Sequence, residues 1–397
     1  MAQRTVLMIH PHSDLYGSDR VFIDSVRAMV GAGWRVVVTI PAEGRIGPSL
    51  RATGAELVIC PAPVLRKEAL RPAGFVRFAR AAARFVRPAV RLLRETDPDV
   101  VYVNTVATPG WALLARLARR PLLIHIHEAE DAFPRVAQIG LALPLLTADV
   151  LISNSKATSR SIGAALPILR RRIRLIYNAV EPPAEVTGHT APHTPVRLLV
   201  VARLSPRKGV DIAVDAAAEL HRRGRDVELR LVGSIFAGYE WFENQLRERV
   251  SEAGLGERVQ FAGFQNDVWA AYAGADIALV PSRWEPFGNT AVEAQLAGVP
   301  LVVTDVQGLP ETVDHGQCAL VVAPDDAAGL ATAIESIIDD WPAALARAEL
   351  GQKFAGERFG PQRYGSEVVE LVTSLAERGR GSRRREKLSV LRGGAAE

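Results

Sequence analysis

Residues 277–296 read IALVPSRWEPFGNTAVEAQL, and the fold follows from how that stretch changes character. Ile277–Val280 is an unbroken apolar run with no polar alternation, the pattern of a strand covered on both faces. The chain leaves that strand through Glu285, and Gly288 opens a helix over Asn289–Leu296. A second apolar run, Leu301–Thr304, follows. Strand, helix and strand in this order predict a unit of a parallel sheet.

The alternation continues on both sides. Upstream come strand Val196–Val201, helix Val210–His221, strand Glu228–Val232, helix Tyr239–Ala253, strand Val259–Phe261 and helix Asp267–Ala273. Strand Leu320–Val322 lies downstream. The first half repeats the theme with strands at Thr5–His10, Arg35–Ile40, Leu57–Cys60, Val100–Asn104, Leu122–His127, Val150–Ser153 and Arg174–Tyr177, separated by helical stretches. Between the halves, Glu181 to Pro195 holds four prolines and no apolar run, which predicts a linker over 183–195. The expectation is α/β, with two Rossmann-like doubly wound domains, 1–182 and 196–360, facing a cleft. A terminal helix over 361–377 crosses back to the first domain, and a basic, disordered tail occupies 378–397. A chain of 397 residues fits two such domains, since single cores rarely exceed about 250–300 residues.

Composition removes other classes. An apolar content of 48% without low-complexity tracts excludes collagen, coiled coil and wholesale disorder. Cys60 and Cys318 are the only cysteines, so no disulfide framework or thiolate zinc site is expected. The opening run from Met1 to His10 is too short for a secretory signal or a membrane span, predicting a soluble protein of a reducing compartment. Charge is uneven: residues 1–182 carry 25 basic and 14 acidic side chains against 23 and 30 in residues 183–397. The basic half favours anionic partners.

In open parallel sheets ligands bind beyond the carboxyl ends of the strands, so the chemistry belongs in the loops that follow them. After Val196–Val201 comes Arg203-Leu-Ser-Pro-Arg-Lys208-Gly209, whose two cations straddle a strand-to-helix turn and suit a diphosphate; alone it is equally a solvated basic turn. Gly233 ends another strand, where a ligand can approach the backbone. After Ile277–Val280 the free amides of Asn289 and Thr290 suit an anion or a hydroxyl. Glu285 and Glu293, eight positions apart, can reach the two ends of one elongated ligand, with a sugar at one end and a ribose at the other. Electrostatic support of the helix start is the plainer role for Glu293. A fourth loop, Asp305 to Glu311, carries Gly308 and an acid.

The string PSRWEPFGNTAVEAQLAGVPLVV, with VARLSPRKG upstream and GLPETV downstream, closely resembles the retaining family-four glycosyltransferases of GT-B fold, and the resemblance runs over nearly the whole chain. It implies that Glu285 and Glu293 are the paired glutamates, holding the donor sugar's hydroxyls and the nucleotide's ribose. Arg203 and Lys208 would grip the diphosphate and stabilise it as it leaves. Phe287, Gly288, Asn289 and Thr290 would meet sugar and phosphate through backbone amides. In the first half, Gly17 and Ser18 open a helix after the first strand and stand where the family usually has two glycines, at the acceptor site. His127 matches the family's strand-end histidine beside the reacting sugar. His125, two residues earlier, faces the same side, and only the strand's end favours His127. Gln307 replaces a glycine common in the family's downstream loop.

Asp97-Pro98-Asp99 looks like a metal-binding DxD, but it precedes its strand instead of following it and reads better as a turn. No metal and no cofactor are expected, the nucleotide sugar being a co-substrate. Transfer with retention needs no protein base, because the departing phosphate oxygen can take the acceptor's proton.

Finally, Arg77, Arg80, Arg84, Arg87, Arg91 and Arg94 recur at spacings of three and four and form one stripe of a helix over 75–94. An interfacial helix drawn to anionic lipid has this form, and so does a sheet-packed helix with solvated arginines. Pro88 predicts a kink or two shorter helices. Nucleic acid is excluded as a partner because no aromatic platform accompanies the charge. The sequence thus points to a retaining, nucleotide-sugar-dependent glycosyltransferase in the cytoplasm, peripheral to the inner membrane face, with a glycan or lipid-linked acceptor. Its alternatives are a GT-B epimerase or phosphorylase, or a non-catalytic binding protein on the same scaffold.

Overall fold

The computed structural model describes residues 3–15, 17–64, 72–128, 134–185, 190–235 and 238–393. The chain forms two compact units, Met1–Ala179 with Pro361–Glu397, and Val180–Gly360.

The first unit is built on a seven-stranded sheet: β1 (Thr5–Ile9), β2 (Arg35–Ile40), β3 (Glu56–Ile59), β4 (Val100–Val103), β5 (Leu122–Ile126), β6 (Val150–Ser153) and β7 (Ile173–Leu175). Every pairing is parallel and the order is β3-β2-β1-β4-β5-β6-β7, so the winding direction reverses between β1 and β4. Side chains of a strand point alternately to the two faces. In β1, Val6 and Met8 join one apolar core while Leu7 and Ile9 join the other, and all four are at most 1% exposed. This two-sided burial is why the strands read as unbroken apolar runs.

Helices α1 (Gly17–Gly31), α2 (Ile46–Ala52), α3 (Pro72–Thr96), α4 (Pro109–Leu117), α5 (Arg135–Ala142) and α6 (Lys156–Ala165) connect these strands. Pro88 does not divide α3, which is a single helix. Pro88 stands on the exposed side, where a carbonyl deprived of its amide partner faces water.

The second unit repeats the plan with six parallel strands: β8 (Val196–Val201), β9 (Val227–Val232), β10 (Val259–Gly263), β11 (Ile277–Val280), β12 (Leu301–Thr304) and β13 (Leu320–Val322). Their order is β10-β9-β8-β11-β12-β13, reversing between β8 and β11. Its helices are α7 (Val210–Arg222), α8 (Glu240–Glu252), α9 (Trp269–Ala273), α10 (Asn289–Leu296), α11 (Leu309–Thr312), α12 (Ala327–Asp339) and α13 (Trp341–Arg358).

The last helix, α14 (Pro361–Gly393), belongs to the first unit. Tyr364, Val368, Val372 and Leu375 recur on one face, are at most 4% exposed and join the core that contains Phe22 and Met29 of α1. The helix runs on to Gly393, through most of the stretch for which the sequence predicts a disordered tail. Once the packed end is formed, Arg, Glu, Lys and Leu extend a helix readily.

Candidate functional site

In each unit the candidate residues stand at the carboxyl edge of the sheet, beside the strand pair where winding reverses, which is where open parallel sheets take ligands. In the second unit, the loop after β8 carries Arg203 and Lys208 and the loop after β11 carries Glu285. The two loops are zipped together by their backbones: the Arg207 carbonyl accepts from the Arg283 amide at 2.9 Å. Gly209 makes the contact possible. It has φ +61°, and a Cβ there would collide with the Pro281 carbonyl.

Lys208 Nζ donates to Glu285 Oε2 in an ion pair whose side chains are 16% and 10% exposed. Burial pulls Lys208 below the ordinary lysine range; Arg207 and Arg203 act in the same direction and Glu285 opposes them. Burial on its own would raise Glu285, yet Lys208 and Arg207 outweigh it and hold the carboxyl below the usual carboxylate range. Ser282 Oγ also faces Glu285 Oε2, at 3.4 Å. Lys208 and Arg207 act on the buried Glu285 carboxylate and Arg203 acts on Lys208, so cations gather at this strand-end loop, the electrostatics a diphosphate needs.

Gly233, with φ +142°, lies against the Ala202 carbonyl so closely that no side chain fits, and Leu204 N donates to Ser234 O at 3.1 Å, tying a third loop to the first two. Gly288 precedes α10 with φ +113° and backs onto Leu309. Phe287 is 2% exposed and its ring packs on Phe359 with centroids 5.4 Å apart, so this residue offers a ligand only its backbone. Asn289 and Thr290 form the first turn of α10, and Glu293 follows one turn later. Glu293 Oε2 accepts from Tyr272 Oη at 3.2 Å; the same hydroxyl reaches Thr290 O at 3.1 Å. Burial, with Glu293 adding to it, raises Tyr272 well above the ordinary tyrosine value, so it keeps its proton and remains a donor. Gln307 takes φ +43°, a left-handed conformation that glycine adopts freely, so the exchange of residue type leaves that backbone shape in place.

Sequence reasoning passed over two supports here. Arg283 forms a two-pronged ion pair with Asp211 at 2.8 Å on each arm, donates to Pro206 O at 2.6 Å and meets Asp325, clamping the cation loop to the glutamate loop. Its position inside the strand-end loop was the available signal. Tyr272, on α9, is indistinguishable in sequence from an apolar core residue.

In the first unit, Gly17 and Ser18 form the start of α1, and the next residue, Asp19, is 2% exposed. Asp19 Oδ1 lies 2.9 Å from His10 Nε2; Asn104 Nδ2 lies 3.1 Å from His10 Nδ1; and Asn104 Oδ1 lies 2.9 Å from His127 Nε2. His10, Asn104 and His127 each follow the last residue of adjacent strands β1, β4 and β5. His127 Nδ1 is buried without a hydrogen-bond partner among the described residues. His125 is on the same side of β5, its ring 4.0 Å from that of His127, but it is fully buried and turned to Tyr102, whose hydroxyl is 2.6 Å from Nδ1. Sequence reading singled out His127 and missed His10, Asn104 and Asp19, although the same strand-end rule picks out His10 and Asn104.

Asp97 and Asp99 are absorbed in structure. Asp97 pairs with Arg120, and Asp99 Oδ2 accepts from the Thr5 amide at 3.0 Å, at the amino-terminal edge of β4.

The arginine stripe of α3 is exposed. Arg91 pairs with Glu95 at 2.7 Å, while Arg77, Arg80, Arg84, Arg87 and Arg94 have no ion pair among the described residues. Phe75, Val76 and Val86 of α3 are 62%, 46% and 43% exposed, and α4, which packs on α3, exposes Leu113 and Leu117. No helix among the described residues is long and apolar enough to cross a membrane.

Comparison with known proteins places the chain in a family. Residues 16–182 match the pattern described as Glycosyltransferase Family 4, and residues 184–354 that of Glycosyl transferases group 1. The 2-deoxystreptamine glucosyltransferase of Streptomyces kanamyceticus is 30% identical over 369 residues, covering 84% of this chain and 92% of that protein. Glycogen synthase of Mycobacterium tuberculosis is 31% identical over 301 residues, 72% of this chain and 71% of its own. Among solved structures, Anabaena HepE in complex with UDP and glucose superposes with a TM-score of 0.79 at 24% identity, covering 93% of this chain and 99% of that one. The chain therefore belongs to the glycosyltransferases of family 4, enzymes built on the GT-B fold.

Proposed function

We propose that this glycosyltransferase takes a sugar from a nucleotide diphosphate sugar and passes it, with retention of anomeric configuration and without a metal, to a hydroxyl of a lipid-linked or cell-surface glycan precursor. The observation that carries the reading is the buried Lys208–Glu285 pair, with Arg203 and Arg207 around it, at the winding reversal of the second sheet. A diphosphate arriving there meets a largely desolvated Lys208 with Arg203 and Arg207 beside it, and a fixed cation so placed acts strongly on charge that develops as the leaving group departs. The bond from the anomeric carbon to the phosphate oxygen breaks as the acceptor oxygen bonds on the same face. The acceptor's proton passes to the departing phosphate oxygen. In this scheme Arg203 and Lys208 take the part a divalent ion plays elsewhere. Glu285 holds sugar hydroxyls, Glu293 the ribose, the amides of 287–290 the sugar and phosphate, and Gly233 lets the nucleotide approach. Gly17 and Ser18 line the acceptor site, and His127 stands beside the sugar.

We further propose that the exposed α3 face docks the enzyme on the cytoplasmic face of a membrane. Unpaired arginines interspersed with Phe75, Val76 and Val86 combine electrostatic attraction to anionic lipid with apolar insertion.

A thermal-shift panel tests the donor. UDP, GDP or ADP, or their sugars, raises the melting temperature of the wild type, because a ligand of the folded state alone stabilises it. Failure of every nucleotide to do so refutes the reading. Product anomers resolved by NMR test retention, full turnover in EDTA tests metal independence, and donor converted without any acceptor would identify an epimerase. For the membrane, vesicles rich in phosphatidylglycerol should sediment the enzyme at low salt, and Arg77, Arg80, Arg84 and Arg87 changed together to Gln should abolish this, each arginine contributing about 1 kcal/mol.

A further inference from the structure

The polar chain behind His127 has a direction. At its far end Asp19 is a carboxylate and can only accept, so the His10 nitrogen facing it, Nε2, carries the proton. Asn104 faces the other nitrogen, Nδ1, with its amide NH2, which can only donate, so Nδ1 is the acceptor. That fixes Asn104 with its carbonyl oxygen towards His127, which must donate to it from Nε2. With Asn104 in this orientation, His127 has its only proton engaged with Asn104, and its Nδ1 is a bare lone pair, buried and without a partner among the described residues. Buried acceptors in that condition are rare, and a donor brought by a ligand relieves them.

Resting on the proposed glycosyl transfer and on His127 meeting its substrate, we infer that Asp19, His10 and Asn104 are positioning residues that lock His127 in one tautomer, so that it serves the sugar as a hydrogen-bond acceptor at Nδ1 and never as a proton donor. The ligand group this selects is a hydroxyl. Environment agrees with the neutral ring: burial, the largest influence, holds His127 down to about 3. The alternative wiring, with His10 doubly protonated, would turn the Asn104 amide round and place the proton of His127 on Nδ1, making it a donor.

Long-range proton–nitrogen NMR of the full chain, labelled at histidine nitrogen, reads the tautomer without any substrate. The wild type should show His127 neutral and protonated at Nε2 at pH 7. Asn104→Leu should give a mixture of tautomers. His10→Gln, which can donate to Asp19 and accept from Asn104, should keep the wild-type signature, and His10→Leu should lose it; this pair serves if Asn104→Leu does not fold. In turnover of the nucleotide sugar that the wild type uses, Asn104→Leu should lower kcat about tenfold or more, with little change in the thermal shift given by the nucleotide. A proton on Nδ1, an unchanged tautomer in both leucine variants, or full turnover in a variant with mixed tautomers would overturn the inference. A wild type with the expected tautomer that consumes no nucleotide sugar would instead refute the transferase reading and leave the relay standing.

Discussion

The two units use one fold and one edge of the sheet to build opposite kinds of site. In the second unit the candidate residues are charged: Lys208 pairs with Glu285 amid Arg203 and Arg207, and Arg283 clamps the loops through Asp211. In the first unit the chain from Asp19 through His10 and Asn104 to His127 contains no lysine or arginine and runs from one hydrogen bond to the next. The difference follows from the ligand parts each would meet. A leaving diphosphate carries charge and is stabilised by fixed cations. A sugar hydroxyl is neutral and is read by the placement of one donor or acceptor.

The largest effect should come from breaking the charged side. Lys208→Ala removes the cation that the proposed reaction sets against the leaving group, and on that proposal it should lower turnover about 10²–10³-fold. It also strands Glu285 as a buried charge, which costs about 3–5 kcal/mol. The double change Lys208→Met with Glu285→Gln separates the two consequences. It should restore much of the melting temperature and none of the turnover. Turnover recovering with stability would show that Lys208 is structural, and the contrast between the units would collapse.

How far the contrast was legible depends on sequence distance. The sheets were legible because both faces of each strand are buried, so β1, β8 and β11 announce themselves as apolar runs. The charged site was legible because its parts lie in two short loops, 203–209 and 281–293. The neutral site was not, since His10 and Asn104 are 94 positions apart and meet only when β1 and β4 pair. Reading Thr5–His10, Val100–Asn104 and Leu122–His127 as strands placed all three polar residues at strand ends without revealing that the strands are neighbours. Two helix extents were not legible for another reason: local composition shows neither the packed start of α14, which runs on to Gly393, nor the solvent side of α3, on which Pro88 leaves the helix undivided.

Acid should separate the units next. The folded state holds His127 near 3 and His125 well below its ordinary value, both chiefly by burial, against about 6.5 unfolded. Between those values the unfolded chain binds more protons, so the first unit's stability is complete above about pH 6.5 and declines as pH falls below it. Glu285 is depressed below the ordinary carboxylate value of about 4.3, so its contribution is lost only below that point. Hydrogen exchange followed from pH 7 to 4 should therefore show β4 and β5 losing protection before β8 and β11. Simultaneous loss, or the reverse order, would deny the histidines this role.

The mildest change tests whether a neutral support matters on the charged side as well. Tyr272→Phe removes the hydroxyl that donates to Glu293 and to the Thr290 carbonyl and leaves the buried ring in place. If Glu293 holds the ribose, its carboxylate gains rotational freedom, and the cost is that of one hydrogen bond to a charged group, about 1.5–3 kcal/mol at most. The loss should fall on binding: KM for the nucleotide sugar should rise several-fold up to about a hundredfold while kcat stays within a factor of about two, because the ribose is bound equally in ground and transition states. A fall in kcat at constant KM would move Glu293 from the ribose to the reacting sugar. The second unit would then resemble the first in aiming a carboxylate through a tyrosine much as the first aims an imidazole through an asparagine.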